Sequence, residues 1–329
     1  MRQREETEMS GMKMAKAGSF LAAGLVGLMV SAARGADFHV GPRLWVNTTQ
    51  TYTYYLHNNF NTNGNLMSCY LNNGPVEFDK LTGDTVHAIT NVTTKSSMAL
   101  GGYIFSSGPQ ATDASFVRRM DTDWDTNSIV TFMAVDENGS NVGPSSICTD
   151  GTNLYTCSYY AAVTTNRHVV NAYSVANEAG SFTLTHLWST PLGTSGIVRG
   201  FGYANGYLYA SPAGGGSPRR LYAIKAADGT ATDLGVEVPG SGSVYDVVRQ
   251  GNLLIVAAAA DLFVWDMTSD TSVDADSVDQ YGTALFGAGH SVYGVSFDGV
   301  RLYLASGSGT SHLQAFLAGP MARSTIIKG

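Results

Sequence analysis

The sequence has few charged residues, few cysteines and, after residue 35, no long apolar run. Charged side chains make up 14% of the 329 residues. Five of the 19 Lys and Arg and three of the 26 Asp and Glu lie in residues 1–35, which leaves 14 basic and 23 acidic groups for the rest. An acidic surface with few bases argues against nucleic acid or an anionic membrane as a partner. We expect no membrane span after residue 35.

The sequence also lacks the common catalytic and metal-binding motifs. Its seven histidines show neither the H-x-H nor the H-E-x-x-H spacing of a metal enzyme. There is no G-x-S-x-G stretch of the kind that carries a nucleophilic serine. We therefore expect no cofactor, with calcium as the one candidate ion.

Residues 1–35 have the composition of a signal peptide, and residues 36–329 are expected to form a single domain. Lys13 and Lys16 precede an apolar stretch from Phe20 to Ala33, and small residues suited to cleavage close it. The stretch is shorter than the roughly 20 apolar residues that span a bilayer. The alternative is a single membrane anchor. We favour an exported protein that is secreted, periplasmic or attached to the cell surface.

Glycine and tyrosine are abundant, and they recur in one pattern. In Ile197–Ser211 an apolar run is followed by a polar residue, a glycine and a second apolar run rich in Leu and Tyr. The pattern, typical of a β-hairpin, returns around glycines at intervals of 55, 45 and 48 residues: Gly151, Gly206, Gly251 and Gly299. Such a period predicts an all-β fold, a β-propeller of six four-stranded blades. Seven blades are the alternative if the two chain ends hide another pair of strands.

A second, outer hairpin pattern completes each unit. Together the two patterns predict units near residues 55–100, 101–142, 143–192, 193–239, 240–286 and 287–319. Ring closure removes the exposed edges of the first and last blades. We expect the strand Phe38–Val46 to complete the last blade beside Leu313–Leu317.

The repeated unit resembles the blades of secreted quinoprotein-like, NHL-type and WD-type propellers. The resemblance rests on an apolar strand, Asp, Asn or Gln with Gly, and then Leu with Tyr, Leu or Ile, and it covers about two thirds of the chain after residue 35. The matching stretches are Cys148–Tyr155, Tyr203–Tyr209, Val248–Ile255 and Ser296–Tyr303. Trp265-Asp266 falls at a third-strand position, as in a WD repeat. The resemblance implies a fold that hosts binding scaffolds and enzymes alike.

Three cysteines, Cys69, Cys148 and Cys157, would favour one disulfide and one thiol in an oxidising compartment. Cys148 and Cys157 flank one hairpin. A turn at Thr152-Asn153 would place them opposite each other, whereas a turn centred on Asp150-Gly151 would place them out of register. The repeat alignment favours the second case, in which Cys148 and Cys157 cannot bond to each other. We therefore expect a free or loosely paired thiol.

Three side chains are candidates for a site at one mouth of the central channel. Arg199 and Asp246 are charged at positions where the aligned units are apolar or small, and His290 precedes the matching strand of the last unit. Arg199 could hold an anionic group, with Asp246 or His290 as acid or base. The structural alternative is that Arg199 and Asp246 pair with each other across adjacent blades.

Asp121, Asp123 and Asp125 alternate as in the first half of a calcium loop. The second half is missing, because Thr126 stands where such a loop needs Gly and Phe132 where it needs Glu. The cluster is either a calcium site or a solvated acidic loop. Asp274, Asp276 and Asp279 form a weaker version of the same pattern.

The stretch Thr49–Asn65 sets several aromatic side chains, Phe60 among them, between Asn and Thr. This composition suits either a surface that binds carbohydrate or an ordinary outer strand. Two functions remain open. The first is a monomeric, non-catalytic binding scaffold for a protein or a carbohydrate. The second is a secreted propeller hydrolase or lyase acting on a carbohydrate or lactone with the help of calcium.

Overall fold

The computed structural model describes residues 38–320 except 49–52, 55, 57–58, 61–63, 71–73, 90–91, 93, 109–115, 141, 145, 158–167, 179–180, 195, 213–217, 283–284, 286–289 and 308–310. The predicted signal peptide lies outside these residues. The described chain is built from β-strands and two short 3-10 turns. No helix in the described residues has the length and apolar character needed to cross a membrane.

The strands form six sheets, which we number as blades in chain order after the first strand, β1 (Phe38–Asn47). Blade one contains β2 (Thr53–Tyr54), β3 (Leu66–Tyr70), β4 (Pro75–Phe78) and β5 (Thr85–Ala88). Blade two contains β6 (Ser97–Leu100), β7 (Tyr103–Ser107), β8 (Phe116–Asp121) and β9 (Val130–Met133). Blade three contains β10 (Ser146–Thr149), β11 (Asn153–Cys157), β12 (Val169–Glu178) and β13 (Ser181–Pro191).

Blade four contains β14 (Val198–Ala204), β15 (Tyr207–Pro212), β16 (Arg220–Lys225) and β17 (Ala231–Glu237). Blade five contains β18 (Val244–Gln250), β19 (Leu253–Ala258), β20 (Asp261–Ser269), β21 (Ser272–Val273) and β22 (Asp279–Tyr281). Blade six contains β23 (Ser291–Phe297), β24 (Arg301–Gly307) and β25 (Ser311–Pro320). In blade five the fourth position is shared, since β21 and β22 both pair with β20.

The six blades close into a ring, which confirms the predicted propeller and its blade count. Within each blade the strands pair antiparallel in chain order, starting from the innermost strand. Six apolar clusters fill the structure, one between each pair of adjacent blades. Because every blade buries both of its faces against neighbours, the core is a set of six interfaces arranged around the axis.

The first strand closes the ring, as the sequence predicted. Strand β1 pairs antiparallel with β25, with Phe38 opposite Pro320 and Asn47 opposite Leu313. Phe38 is buried and packs edge-on against Phe297, with ring centroids 5.6 Å apart. Blade six is therefore completed by a strand from the other end of the chain, a pairing that links the two ends of the chain.

The predicted boundary between the first two units is wrong. The range 55–100 includes β6, which is the innermost strand of blade two. Its hairpin turns at Gly101 and Gly102, both with positive φ, and no Asp, Asn or Gln precedes them. Two adjacent glycines can adopt this turn without a polar side chain to stabilise it. The hairpin therefore lacks the pattern by which the other repeats were aligned.

The four aligned glycines all lie in turns between the first and second strands of their blades, and all have positive φ. We call this end of the ring the turn end, and the opposite end, where the innermost strands begin, the mouth end. In blade three the turn at Asp150-Gly151 sets Cys148 opposite Tyr155 and Cys157 opposite Ser146. Both cysteines are buried thiols without a disulfide, as the repeat alignment predicted.

Candidate binding site

At the mouth end the innermost strands of blades four, five and six share an irregularity. The antiparallel register shifts between Val198 and Phe201, between Val244 and Asp246, and between Val292 and Gly294. Such bulges turn the extra residue out of the regular ladder. The shifts fall at the same place in three successive blades, so they turn one residue of each strand toward the same mouth.

The residues at these bulges stack on one another across blade boundaries. The guanidinium carbon of Arg199 lies 5.0 Å from the ring centre of Tyr245. Tyr245 in turn meets Tyr293 edge-on, with ring centroids 5.0 Å apart. All three side chains are half-buried. The sequence prediction identified Arg199 and missed both tyrosines, although the repeated Ser-Val-Tyr at the start of β18 and β23 could have revealed them.

Asp246 is fully buried, and its carboxylate accepts hydrogen bonds from backbone amides. Oδ2 accepts from the N–H groups of Val295 at 3.0 Å and Leu56 at 3.3 Å, and Oδ1 accepts from Val247 at 3.0 Å. The side chain thereby joins blade five to blades six and one. A carboxylate in these contacts stabilises the ring, because its lone pairs are directed at protein donors.

His290 lies just before β23 and stacks on His312 of β25, with ring centroids 5.3 Å apart and planes 7° apart. The Nδ1 atoms of both rings are buried and have no hydrogen-bond partner among the described residues. Burial lowers the pKa of His312, and the nearby His290 and Arg43 lower it further. Parallel rings direct their nitrogen lone pairs sideways instead of at each other, so the pair is not arranged to share a metal ion.

The segment after β2 contributes Leu56 and Asn59 to the centre of the ring. Its Leu56 donates to Asp246 of blade five, while the Asn59 amide donates to the carbonyls of Ser97 in blade two and Ile147 in blade three. Leu56 and Asn59 are both buried. These contacts reach the innermost strands of three other blades, so Leu56 and Asn59 lie near the axis of the ring.

On the turn-end side of this segment lie two adjoining cavities, which together we call the turn-end groove. The inner cavity holds about 360 Å³ and is lined by Asn59, Phe60, Met98, Cys148 and Thr149. The outer cavity holds about 420 Å³ and is lined by Asn153, Tyr207 and Lys225. Asp150 and Tyr203 line both cavities. The groove therefore runs from the axis outward between blades three and four.

Asp150, in the middle of the groove, is saturated with hydrogen bonds from its own hairpin. Oδ1 accepts from the N–H groups of Thr152 and Asn153, and Oδ2 accepts from the Asn153 amide and from the Tyr155 hydroxyl at 2.6 Å. Burial alone would raise the pKa of Asp150, but the hydrogen bonds from Asn153, Tyr155 and Thr152 outweigh it and hold the pKa below its usual value. The groove therefore carries a fixed negative charge that is poorly suited to proton transfer.

The two acidic stretches identified in the sequence form the same local structure in blades two and five. Asp125 Oδ1 accepts from the N–H of Asn127, and Asp274 Oδ1 accepts from the N–H of Asp276. Each aspartate begins a 3-10 turn, at Thr126–Ser128 or Ala275–Ser277, whose serine hydroxyl donates to the aspartate carbonyl. The shared feature is Asp-x-x-Ser, which the sequence contains in both places.

The same serines accept hydrogen bonds from the preceding strand, from the N–H of Asp121 in blade two and of Asp266 in blade five. Asp123 Oδ1 accepts from the N–H of Asp125. Among the residues that the structure describes, no three His, Cys, Asp or Glu side chains are grouped to hold a metal ion. Calcium at Asp121, Asp123 and Asp125 stays a prediction.

Similarity to solved structures supports the fold. No family model matches the chain, and no curated protein sequence matches it. A catalytically inactive variant of virginiamycin B lyase from Staphylococcus aureus, solved with quinupristin, shares 13% identity at a TM-score of 0.51, covering 85% of this chain and 100% of that one. BamB from Moraxella catarrhalis shares 10% identity at a TM-score of 0.46, covering 86% and 98%. At 13% identity the likeness to the lyase structure supports the β-propeller fold alone and assigns no activity.

Proposed function

We propose that the chain is an exported β-propeller that acts as a non-catalytic binding scaffold, with the turn-end groove as its binding site. The observation that carries the proposal is the pair of adjoining cavities, each within the size range of small-molecule sites. Most of their lining belongs to strands and tight turns of blades two, three and four, so a ligand would enter a site that is already formed. A preformed site of this kind favours binding because little ordering is required.

The contacts of the charged residues favour binding over catalysis. Asp246 accepts from three backbone amides at zero exposure, and Asp150 accepts from four donors. A general acid or base needs a lone pair or proton directed at the substrate. Of the predicted acid–base groups, only His290 lies outside such a network. An enzymatic function would therefore depend on His290 at the mouth end.

Export is supported by the basic, apolar and small-residue regions of residues 1–35. We expect the full-length chain to be processed near residues 33–35 and recovered outside the cytoplasm. Amino-terminal sequencing of the recovered protein, together with cell fractionation, tests this part of the proposal. A cytoplasmic protein that retains residues 1–35 would contradict it.

Binding is tested by thermal unfolding of the purified protein in the presence of two panels, oligosaccharides and short peptides. A ligand that binds only the folded state raises the unfolding midpoint. We expect at least one compound to raise the midpoint of the wild type and of His290→Ala, but not of Tyr203→Ala. A shift that survives in Tyr203→Ala and is lost in His290→Ala would move the site to the mouth end and restore the enzymatic alternative.

A further inference from the structure

We propose that the turn-end groove binds a neutral, extended carbohydrate chain, with one sugar ring in each cavity. This inference rests on the proposed binding function and deepens it by naming the class of ligand. It follows from the shape of the groove, the position of its aromatic rings, its polar groups and its charge.

The shape of the groove favours a ligand with repeating units. Two cavities of about 360 and 420 Å³ adjoin at Tyr203 and Asp150, and they are similar in size. The inner one ends at Asn59 and Phe60 of the segment after β2, while the outer one opens between the turns of blades three and four. Two similar compartments in a row suit successive rings of one chain better than a single compact ligand.

Tyr203 provides an aromatic surface at the junction of the cavities. Its ring lies parallel to that of Tyr155, with centroids 6.4 Å apart and planes 7° apart. Tyr155 is fully buried, whereas Tyr203 is half-buried and lines both cavities. The buried Tyr155 ring thus supports the Tyr203 ring. Tyr207 adds a second ring in the outer cavity. Fixed, partly exposed tyrosine rings offer an apolar face for the C–H groups of a sugar and a hydroxyl for its polar edge.

The remaining lining combines an apolar floor with neutral hydrogen-bonding groups. Met98 and Cys148 are 1% exposed and form the floor of the inner cavity. Asn59 and Thr149 border that cavity, and Asn153 borders the outer one. Their side chains already donate within the protein, Asn59 to two carbonyls, Thr149 to the Asn153 carbonyl and Asn153 to Asp150, which leaves their side-chain oxygens as acceptors. Sugar hydroxyls can donate to such oxygens, so this lining suits a carbohydrate.

The charge of the groove favours a neutral sugar over an acidic one. The pKa of Asp150 lies below its usual value, so the carboxylate is ionised at neutral pH. Lys225 donates to Asp228 at 2.9 Å, which compensates its charge. An anionic ligand would meet the Asp150 carboxylate without a cation dedicated to it. Opposed like charges reduce affinity, so we expect acidic sugars to be excluded.

The test is calorimetric titration of the purified full-length gene product with four probes. Three are neutral hexasaccharides of glucose or N-acetylglucosamine, namely cellohexaose, maltohexaose and chitohexaose, and the fourth is anionic oligogalacturonate. We expect at least one neutral hexasaccharide to bind and oligogalacturonate not to bind. Tyr203→Ala should weaken binding about tenfold or more, because truncating an aromatic anchor removes a dominant contact. Tyr203→Phe should keep most of the affinity, since the ring remains.

Tyr222→Ala is the matched control. Tyr222 is a half-buried tyrosine of the same blade, but it lines a cavity of about 260 Å³ at the mouth end. Its truncation should leave the affinity unchanged. If Tyr203→Ala does not fold, Tyr207→Ala in the outer cavity replaces it, with weaker binding of the hexasaccharide expected.

Three results would overturn the inference in different ways. If no neutral hexasaccharide binds, while a peptide from the thermal panel binds in a Tyr203-dependent manner, the groove is a binding site and its ligand is not a sugar. If neither panel gives a Tyr203-dependent ligand, the proposed binding function of the groove fails as well. A sugar that binds equally to Tyr203→Ala and the wild type would place the carbohydrate site elsewhere.

Discussion

The two ends of the propeller are stabilised in different ways. At the turn end, polar groups find their partners within a few residues of sequence: Asp150 binds Tyr155, and Asp298 binds Tyr303 at 2.9 Å. At the mouth end the contacts cross from blade to blade, as Arg199 lies over Tyr245 and Asp246 reaches Val295. The turn end therefore relies largely on contacts within its own hairpins, whereas the mouth end depends on the assembled ring.

In blade four, a turn-end tyrosine makes contacts between blades instead of contacts within its own hairpin. Its tyrosine at the equivalent turn-end position, Tyr209, follows an Asn-Gly turn in place of Asp-Gly. Without the aspartate, the Tyr209 hydroxyl donates to the carbonyl of Asp270 in blade five and accepts from Arg249. The buried tyrosine thus serves its own hairpin in blade three and the neighbouring blade in blade four, while Tyr303 of blade six contacts both Asp298 and the Lys80 carbonyl of blade one.

The largest expected loss of stability is at Asp246, whose carboxylate accepts hydrogen bonds from Leu56 and from Val295 of blade six. Asp246→Ala would leave the buried N–H groups of Leu56 and Val295 without their acceptor. We expect the free energy of unfolding to fall by about 3 kcal/mol or more, since each buried unsatisfied group costs about 1–3 kcal/mol. Urea unfolding measures this loss. Asp246→Asn keeps one acceptor oxygen and should lose about half as much, whereas equal losses in the two variants would argue against a hydrogen-bonding role.

The next effect is at the turn end, where Tyr155→Phe and Tyr303→Phe each remove one hydroxyl that donates to an aspartate. We expect a loss of about 1.5–3 kcal/mol for each variant, as for a hydrogen bond to a charged acceptor. Because the two hydroxyls lie in blades three and six and share no partner, the two losses should add in the double variant. A clear deviation from additivity in urea unfolding would mean that the hairpins are coupled through the ring.

The hydrogen bond from Tyr155 to Asp150 also predicts that the stability of the protein depends on pH. The pKa of Asp150 is lowered in the folded protein, so its stabilising contribution is complete above the unfolded value of about 3.9 and is lost as the pH falls through the folded value. Stability should therefore fall below about pH 4, and Tyr155→Phe should reduce this acid sensitivity because it removes one cause of the low pKa. Thermal unfolding of both proteins between pH 7 and pH 2.5 tests the sign. An unchanged profile in the variant would contradict it.

The contrast between the ends also explains what the sequence could predict. Turn glycines, the Leu-Tyr strands after them and the closing strand Phe38–Val46 depend on local turn chemistry and alternation, and they were predicted correctly. Asp246 and Asn59 could be recognised as polar residues, but their partners are set by blades far away in sequence. The predicted mouth site contained Arg199 and missed Tyr245, because the repeated Ser-Val-Tyr marks a tyrosine but not the bulge that turns it toward Arg199.

A smaller effect is expected at the mouth end, from the stacked bulge residues. Tyr245→Leu removes both the surface under Arg199 and the edge-on contact with Tyr293. We expect a loss of about 1–2 kcal/mol, because each aromatic or cation–π contact contributes about 0.5–1.5 kcal/mol. Tyr293→Phe keeps the ring and serves as the control in urea unfolding. Unchanged stability in Tyr245→Leu would show that the mouth residues are not held by one another.

The smallest effect is expected in the paired acidic turns, which also test the calcium prediction. Asp125→Ala and Asp274→Ala each remove an oxygen that accepts from the first N–H groups of a 3-10 turn. Each should reduce stability by about 0.5–1 kcal/mol, as for a lost helix cap, and the two losses should be equal because the turns are the same. Since Asp123 and Asp125 already accept hydrogen bonds within their loop, adding calcium or a chelator should not change this equality.

A calcium-dependent rise in the unfolding midpoint that is lost in Asp125→Ala and kept in Asp274→Ala would establish an ion site in blade two. The acidic loops would then differ in function despite their common backbone, and the turn end would no longer be explained by hairpin chemistry alone.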